Sequence, residues 1–147
     1  MGRKLKKRLL YLTLLYVLII SCNGGSGGFT GPEGVPKISN IQVSPTTIPK
    51  GQAFNVKFDY LDEDNDLGEG IIRMTTEVPM SIYSQGNLMT GDLFNIRIEG
   101  IKGAQGTISL SIMIDTSTSP GKYSFNIQVI DKTGDVSNIL RAYIDIT

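Results

Sequence analysis

The chain has 147 residues, with 14 Lys+Arg against 14 Asp+Glu, one Cys, no His and no Trp. Without His there is no Ser-His-Asp triad, no imidazole base and no His-ligated zinc or haem, and one Cys builds neither a disulfide framework nor a Cys-rich metal site. Five of the 14 cations lie in residues 1–21, which hold no acid, so the rest carries nine bases against 14 acids, a net of −5; an acidic body of that kind is not expected to bind nucleic acid, which needs clustered Lys and Arg.

The chain opens on Arg3, Lys4, Lys6, Lys7 and Arg8, followed by the apolar run Leu9–Ile20, interrupted only by Thr13, and then Ser21-Cys22. A charged start, a short apolar stretch and a small residue are the marks of a secretory signal. Twelve helical residues rise only about 18 Å, short of the ~30 Å hydrocarbon core, so a cleaved signal is expected rather than a membrane-spanning helix. Ile19-Ile20-Ser21-Cys22 closely resembles the lipobox of bacterial lipoproteins. That resemblance implies cleavage before Cys22, a diacylglycerol thioether on its sulfur and acylation of the new amino terminus, including palmitate. Two or three chains make a durable anchor, since each buried CH₂ contributes about 0.8 kcal/mol and one chain alone is marginal. The other reading is an ordinary signal peptide with an incidental Cys22. A myristoylation site is rejected, because Met1-Gly2-Arg3-Lys4-Leu5-Lys6 lacks the required Ser or Thr. In the lipoprotein family an Asp after the lipidated Cys retains the protein at the inner membrane; Asn23 stands there, so the resemblance favours the outer membrane of a bacterial cell envelope.

Residues 22–36, dominated by Gly, Ser and Pro, read as a tether, coil-like in its first half and stiffened by Pro32 and Pro36. Its Gly-rich run has no strand before it and no helix after it, so it is no phosphate cradle.

From Lys37 to Thr147 the apolar period is two. Ile41 and Val43 start it. Phe54, Val56, Phe58 and Tyr60 continue it, then Ile72, Met74, Thr76 and Val78, and then Phe94, Ile96 and Ile98. Ile108 to Ile114, Tyr123 to Val129 and Leu140 to Ile146 complete seven strands, each placing one face in a core. Turn residues separate them: Pro45, Pro49-Lys50-Gly51, Gly68-Glu69-Gly70, Gly86-Asn87, Gly103 with Gly106, Pro120-Gly121 and Gly134. The expected fold of residues 37–147 is all-β, an antiparallel sandwich of about seven strands, large enough to fold without disulfides. Met80–Gly91 is the least regular segment, read as a short crossing strand or a contact loop for a partner.

Pro120-Gly121-Lys122-Tyr123-Ser124-Phe125 and Ile127 to Asp135 resemble the E–F corner and F–G hairpin of bacterial immunoglobulin-like domains. Fibronectin type III, cadherin-like and polycystic-kidney-disease-type modules carry similar runs. The resemblance makes Tyr123 a tyrosine-corner residue whose hydroxyl bonds back to nearby backbone. The missing Cys pair and Trp exclude an antibody-type domain.

The segment most able to carry chemistry is Asp62-Glu63-Asp64-Asn65-Asp66-Leu67-Gly68-Glu69, with five carboxylates in eight residues. Its alternate Asp residues resemble the start of a D-x-D-x-D calcium loop. As an EF-hand it fails, with Leu67 where Gly belongs, Arg73 where a bidentate Glu belongs and no flanking helices. In an Ig-like sandwich, however, the B–C and F–G loops emerge at one end. That topology is expected to bring Asp131 and Asp135 toward Asp62, Asp64, Asp66 and Glu69, six oxygen-bearing side chains for a Ca²⁺ ion that takes 6–8 oxygens. The alternative is a solvated loop of Asx turns that binds nothing. No cofactor is otherwise required.

Remaining candidates are weaker. Asp131, Asp135 and Asp115 offer carboxylates, yet nothing sets two of them in an apolar cleft at glycosidase spacing. Ser111 and Ser124 have no base available, and Tyr83 and Tyr143 make a poor sugar platform without Trp. The sequence therefore reads as a non-enzymatic, lipid-anchored envelope module for binding, adhesion or assembly. Its partners are membrane lipid through Cys22 and an unidentified protein or glycan. The alternative function is an accessory domain binding glycan or another small ligand at the acidic apex, with or without Ca²⁺.

Overall fold

Each apolar alternation of the domain folds as a strand, because period-two burial gives every strand one wet and one dry face. The structure, a computed structural model, describes residues 34–147. The export signal, Cys22 and the tether up to residue 33 lie outside the described residues. The strands are β1 (Lys37–Ser44), β2 (Thr47–Ile48), β3 (Ala53–Leu61), β4 (Ile71–Ser84), β5 (Asn87–Arg97), β6 (Gln105–Ile114), β7 (Gly121–Ile130) and β8 (Leu140–Ile146). One 3-10 turn, Leu67–Glu69, is the only helical element among the described residues.

The pairing is antiparallel throughout except where the two-residue β2 runs parallel to β8. One layer is β1-β3-β6 and the other is β4-β7-β8-β2. The layers are joined because β4 belongs to both: Ile71–Thr76 pairs with β7, while Ile82 and Tyr83 pair with the end of β6. Strand β5 follows β4 along its whole length, forming a hairpin that crosses from one layer to the other. This is an Ig-like arrangement of eight strands, the eighth being the short β2.

The crossing has a local cause. Between the pairs Thr75↔Leu93 and Met80↔Gly91 the register shifts, so that residues 76–79 of β4 face only Asp92 of β5. Pro79 sits in this bulge, where a missing N–H costs no ladder bond. The bulge carries Val78 out of the core. The sequence alternation placed it inside, yet it is 52% exposed. The segment Met80–Gly91 is no loop but the far half of the β4–β5 hairpin, the part that crosses to the β6 layer. Strand β1 has its own register shift between Ser39 and Gln42, with Asn40 at φ 55, which lets Ile38, Ile41 and Val43 all turn toward the core.

The two layers meet face to face. Phe54 of β3 and Phe125 of β7, both buried, approach to 6.1 Å between ring centroids at an interplanar angle of 53°, a tilted geometry that aromatic quadrupoles favour. Phe58, Ile72, Ile112 and Ile127 fill the space around them. At the β6–β7 corner the buried Tyr123 donates its hydroxyl proton to the carbonyl of Ser119 at 2.8 Å, the backward bond that the family resemblance implied. Tyr123→Phe is expected to cost about 1 kcal/mol, since it leaves that carbonyl unpaired in a half-buried corner, and to lower the melting temperature by about 4 °C in calorimetry.

Candidate metal centre

The acidic segment leaves β3 at Leu61 and is pinned at once. Asp62 is fully buried (0% exposed), and its N–H donates to the carbonyl of Ala104 at 2.7 Å. Its Oδ2 accepts the N–H of Leu67 at 2.8 Å, an Asp holding the start of the 3-10 turn as such residues do. Leu67 is buried as well, so an apolar plug draws the loop down onto the sandwich. Asn65 adopts φ 61, a left-handed conformation that Asn tolerates, and its Oδ1 accepts the N–H of Gly103 at 2.7 Å. With both ends held, the loop turns its carboxylates on one another. Asp62, Asp64 and Asp66 each place an oxygen so that all three lie within 4.8 Å.

The second loop, residues 131–139 between β7 and β8, is built around Asp131, only 5% exposed. Its Oδ1 accepts three donors: the N–H groups of Gly134 and Asp135, each at 2.8 Å, and the Thr133 hydroxyl at 2.9 Å. The two loops come together because β4 starts against the end of β7. A Cβ on Gly70 would lie 2.2 Å from the carbonyl oxygen of Ile130, so only glycine permits this approach. Glu69 and Lys132 then bridge the loops through an exposed ion pair of 2.8 Å.

Three carboxylate oxygens are left over. Asp62 Oδ1, Asp66 Oδ1 and Asp131 Oδ2 are buried and have no hydrogen-bond partner. An unpaired buried polar atom costs about 1–3 kcal/mol, and more where it bears charge. The electrostatics agree. Burial pushes the Asp62 carboxyl above its ordinary value of 3.8, opposed by the Leu67 N–H and helped by the Asp64 carboxyl close beside it and by the charge of Asp66. Burial also raises Asp66, joined by the charges of Asp131 and Asp64. Asp131 therefore bears on the same site as Asp66, across the two loops.

Such a set fits a hard divalent cation. Ligand oxygens about 2.4 Å from one Ca²⁺ stand at most roughly 4.8 Å apart when diametrically opposed, and the three Asp oxygens lie within that limit of one another. Of the six residues expected to contribute, Glu69 is ion-paired to Lys132, and Asp135 shares the Thr133 hydroxyl with Asp131 through its Oδ2 at 3.2 Å. The converging set is Asp62, Asp64 and Asp66 with Asp131 beside them. Asn65, Lys132 and Thr133, which hold the loops in place, were not singled out by sequence reasoning. The turn signature Asp131-Lys132-Thr133-Gly134-Asp135 is the signal that could have found Thr133, since Asp takes up the N–H groups and hydroxyl that follow it in such turns.

The other candidates fall elsewhere. Asp115 follows the far end of β6, the strand whose other end adjoins the acidic loop, and its carboxylate takes the Ser117 hydroxyl and N–H, which lower it below 3.8. It cannot pair with Asp131 along a strand of 10 residues, roughly 34 Å. Ser111 lies exposed, Ser124 is half-buried, and neither hydrogen-bonds a base among the described residues. Tyr143 is 64% exposed and Tyr83 half-buried.

No protein-family model matches the sequence, and a search of curated proteins finds no match. Among solved structures, the chain is similar to the PKD domain of an M14-like peptidase from Thermoplasmatales archaeon SCGC AB-540-F20, at 16% identity and TM-score 0.42, over 76% of this chain and 92% of that one. It is also similar to the SrpA adhesin of Streptococcus sanguinis, at 16% identity and TM-score 0.45, over 77% of this chain and 57% of that one. A third likeness is to the Pseudomonas fluorescens alkylpurine DNA glycosylase AlkC, at 18% identity and TM-score 0.46, over 76% of this chain. The chain spans only 30% of the AlkC chain. What these likenesses share with the chain is an arrangement of strands.

Proposed function

We propose that the chain is a non-enzymatic, lipid-anchored binding module of a bacterial cell envelope, and that its two-loop apex takes up Ca²⁺. The observation that carries the calcium reading is the trio of buried carboxylate oxygens without partners, on Asp62, Asp66 and Asp131. Crowded buried carboxylates are compensated by protonation or by a cation, and a hard divalent cation is the partner suited to this many carboxylate oxygens. Ca²⁺ bound there would join the β3–β4 loop to the β7–β8 loop and set the shape of the surface a partner meets. Asp64 is exposed, so the ion keeps a side open to solvent and to ligand oxygens. A protein or glycan ligand would read that side, and a glycan array with and without Ca²⁺ distinguishes the two.

The anchor rests on Ile19-Ile20-Ser21-Cys22, and outer-membrane placement rests on Asn23. Metabolic labelling of the full chain with an alkyne fatty acid tests the anchor. Wild type is expected to label and Cys22→Ala to lose essentially all label; equal labelling of the two overturns it.

A further inference from the structure

Along one side, β6 is fully paired, from Gln105↔Leu61 to Met113↔Ala53. Along the other, only Met113 and Ile114 find partners, Tyr83 and Ile82 of β4. The edge from Gln105 to Ile112 therefore has no ladder partner among the described residues. The reason is the hairpin described above: β5, by the time it runs past this stretch, has crossed into the other layer. A strand's place in the sandwich is left empty.

The vacancy has a floor. Leu110 points into the sandwich yet stays only half-buried, as does Ile101. A cleft of about 310 Å³ runs between β6 and the end of β5, lined by Ile98, Ile108 and Leu110 together with Gln85, Arg97 and Glu99. An open edge with inward-facing apolar side chains beside it is a template for one more strand.

We propose that this strand is β6 of a second copy, giving a two-fold dimer through antiparallel β6–β6 pairing centred on Ser109. Three features favour a second copy over a foreign strand. Gln105–Ile114 carries no charge at all, and lacks the Lys or Pro that normally blocks an edge, so two copies meet without repulsion. Pairing about Ser109 preserves parity: Leu110 of one copy lies opposite Ile108 of the other, and Thr107 opposite Ser111, so dry faces join dry faces. The cleft is also self-complementary. Arg97 and Glu99, one cation and one anion, both line the cleft beside β6, so a two-fold contact there can match each with the opposite charge of the other copy. The two β1-β3-β6 layers become one continuous six-stranded sheet.

Among the described residues the buried apolar side chains form one cluster, from Ile38 to Ile146, so the 34–147 domain carries a core of its own and is tested alone. Sedimentation equilibrium is expected to show a reversible monomer–dimer equilibrium below about 100 µM chain, as befits a small edge-to-edge interface. Ser109 is exposed, so Ser109→Lys and Ser109→Asp are expected to leave the fold intact, which a cooperative melt verifies. Each variant alone sets like charges about 5 Å apart at the axis and is expected to weaken the dimer at least tenfold, while an equimolar mixture re-forms it. A wild-type domain that remains monomeric at about 500 µM overturns the proposal. So does a dimer that both variants leave unchanged, or a mixture that stays monomeric.

Discussion

Adding Ca²⁺ to the metal-free domain is expected to raise its melting temperature by about 8–12 °C at a concentration 100 times Kd, because a ligand that binds only the folded state stabilises it by about 2.7 kcal/mol there. Extracellular calcium modules bind at about 10⁻⁴–10⁻³ M, so 10–100 mM Ca²⁺ reaches that ratio. The same addition gives exothermic or endothermic heat at one site per chain, and a chelator reverses the shift. Mg²⁺ is expected to do much less, since its near-ideal octahedron at about 2.0–2.1 Å does not suit carboxylates fixed by two separate loops. No heat and no shift up to about 100 mM Ca²⁺ would end the calcium reading.

Asp62→Asn sharpens this result by splitting the two roles of Asp62. The amide oxygen can still accept the Leu67 N–H, so the turn stays capped. One negative charge leaves a crowded cluster, and the metal-free variant is expected to melt about 2–4 °C above wild type, while the Ca²⁺-induced rise disappears. The pH dependence follows the same logic. Asp62 and Asp66 have raised folded-state pKa values, so their ionised forms weigh against the fold. That penalty is relieved as pH falls from neutral through those raised values toward the ordinary 3.8. Asp59 is lowered, chiefly by hydrogen bonds from Asn40 and Thr107, and Asp115 by those from Ser117. Their contributions are present above the ordinary value and lost as pH drops through the folded one. The metal-free domain is therefore expected to gain stability as pH falls from neutral toward the ordinary carboxylate range and to lose it once pH drops below that range. With Ca²⁺ present the first slope reverses, because protons then compete with the ion.

The strands were legible because period two survives any detail of packing, and Tyr123 was legible because Pro120-Gly121 marks its corner. The β4–β5 hairpin was hidden by its turn. Gln85 and Gly86 both have positive φ (50° and 77°), the pattern of a type I′ turn. That turn usually announces itself as Asn-Gly; with Gln85 in the first position only Gly86-Asn87 is left, which marks a turn but not a two-residue hairpin. Val78 misled for a different reason: alternation assumes an unbroken pleat, and the bulge at Pro79 breaks it. At the apex, Asp62, Asp64 and Asp66 could be read from spacing, and the approach of Asp131 from topology. Glu69 and Asp135 could not be sorted from them. Their fates are set by Lys132 and Thr133, neighbours whose rotamers no one-dimensional pattern carries.

Phe125→Ala is the substitution with the largest expected effect on the fold, and it tests the sandwich independently of the loops. Phe125 lies mid-strand in β7, buried, with Thr76 of β4 on one side, Ala142 of β8 on the other and the Phe54 ring across the layer gap. Small neighbours such as Ala142 cannot swing in to refill the space, so the loss combines the transfer of a ring with a lasting cavity, about 3–5 kcal/mol. Against a total stability of roughly 5–15 kcal/mol, that takes a domain of this size to the margin, with the melting temperature down by about 15 °C or more. Phe125→Leu keeps most of the volume and should cost under about 1.5 kcal/mol. The Phe54→Ala, Phe125→Ala double variant is expected to lose less than the sum of the singles, because the second truncation enlarges a cavity already opened by the first. Strict additivity would mean that the two rings do not share one interior, and the face-to-face packing of the layers would be wrong. Phe125 also precedes Asp131 by six strand positions, about 20 Å, so the Ca²⁺-induced rise should persist in Phe125→Leu at its wild-type size. Stability and metal binding then separate into two measurements, one reporting the core and the other the apex.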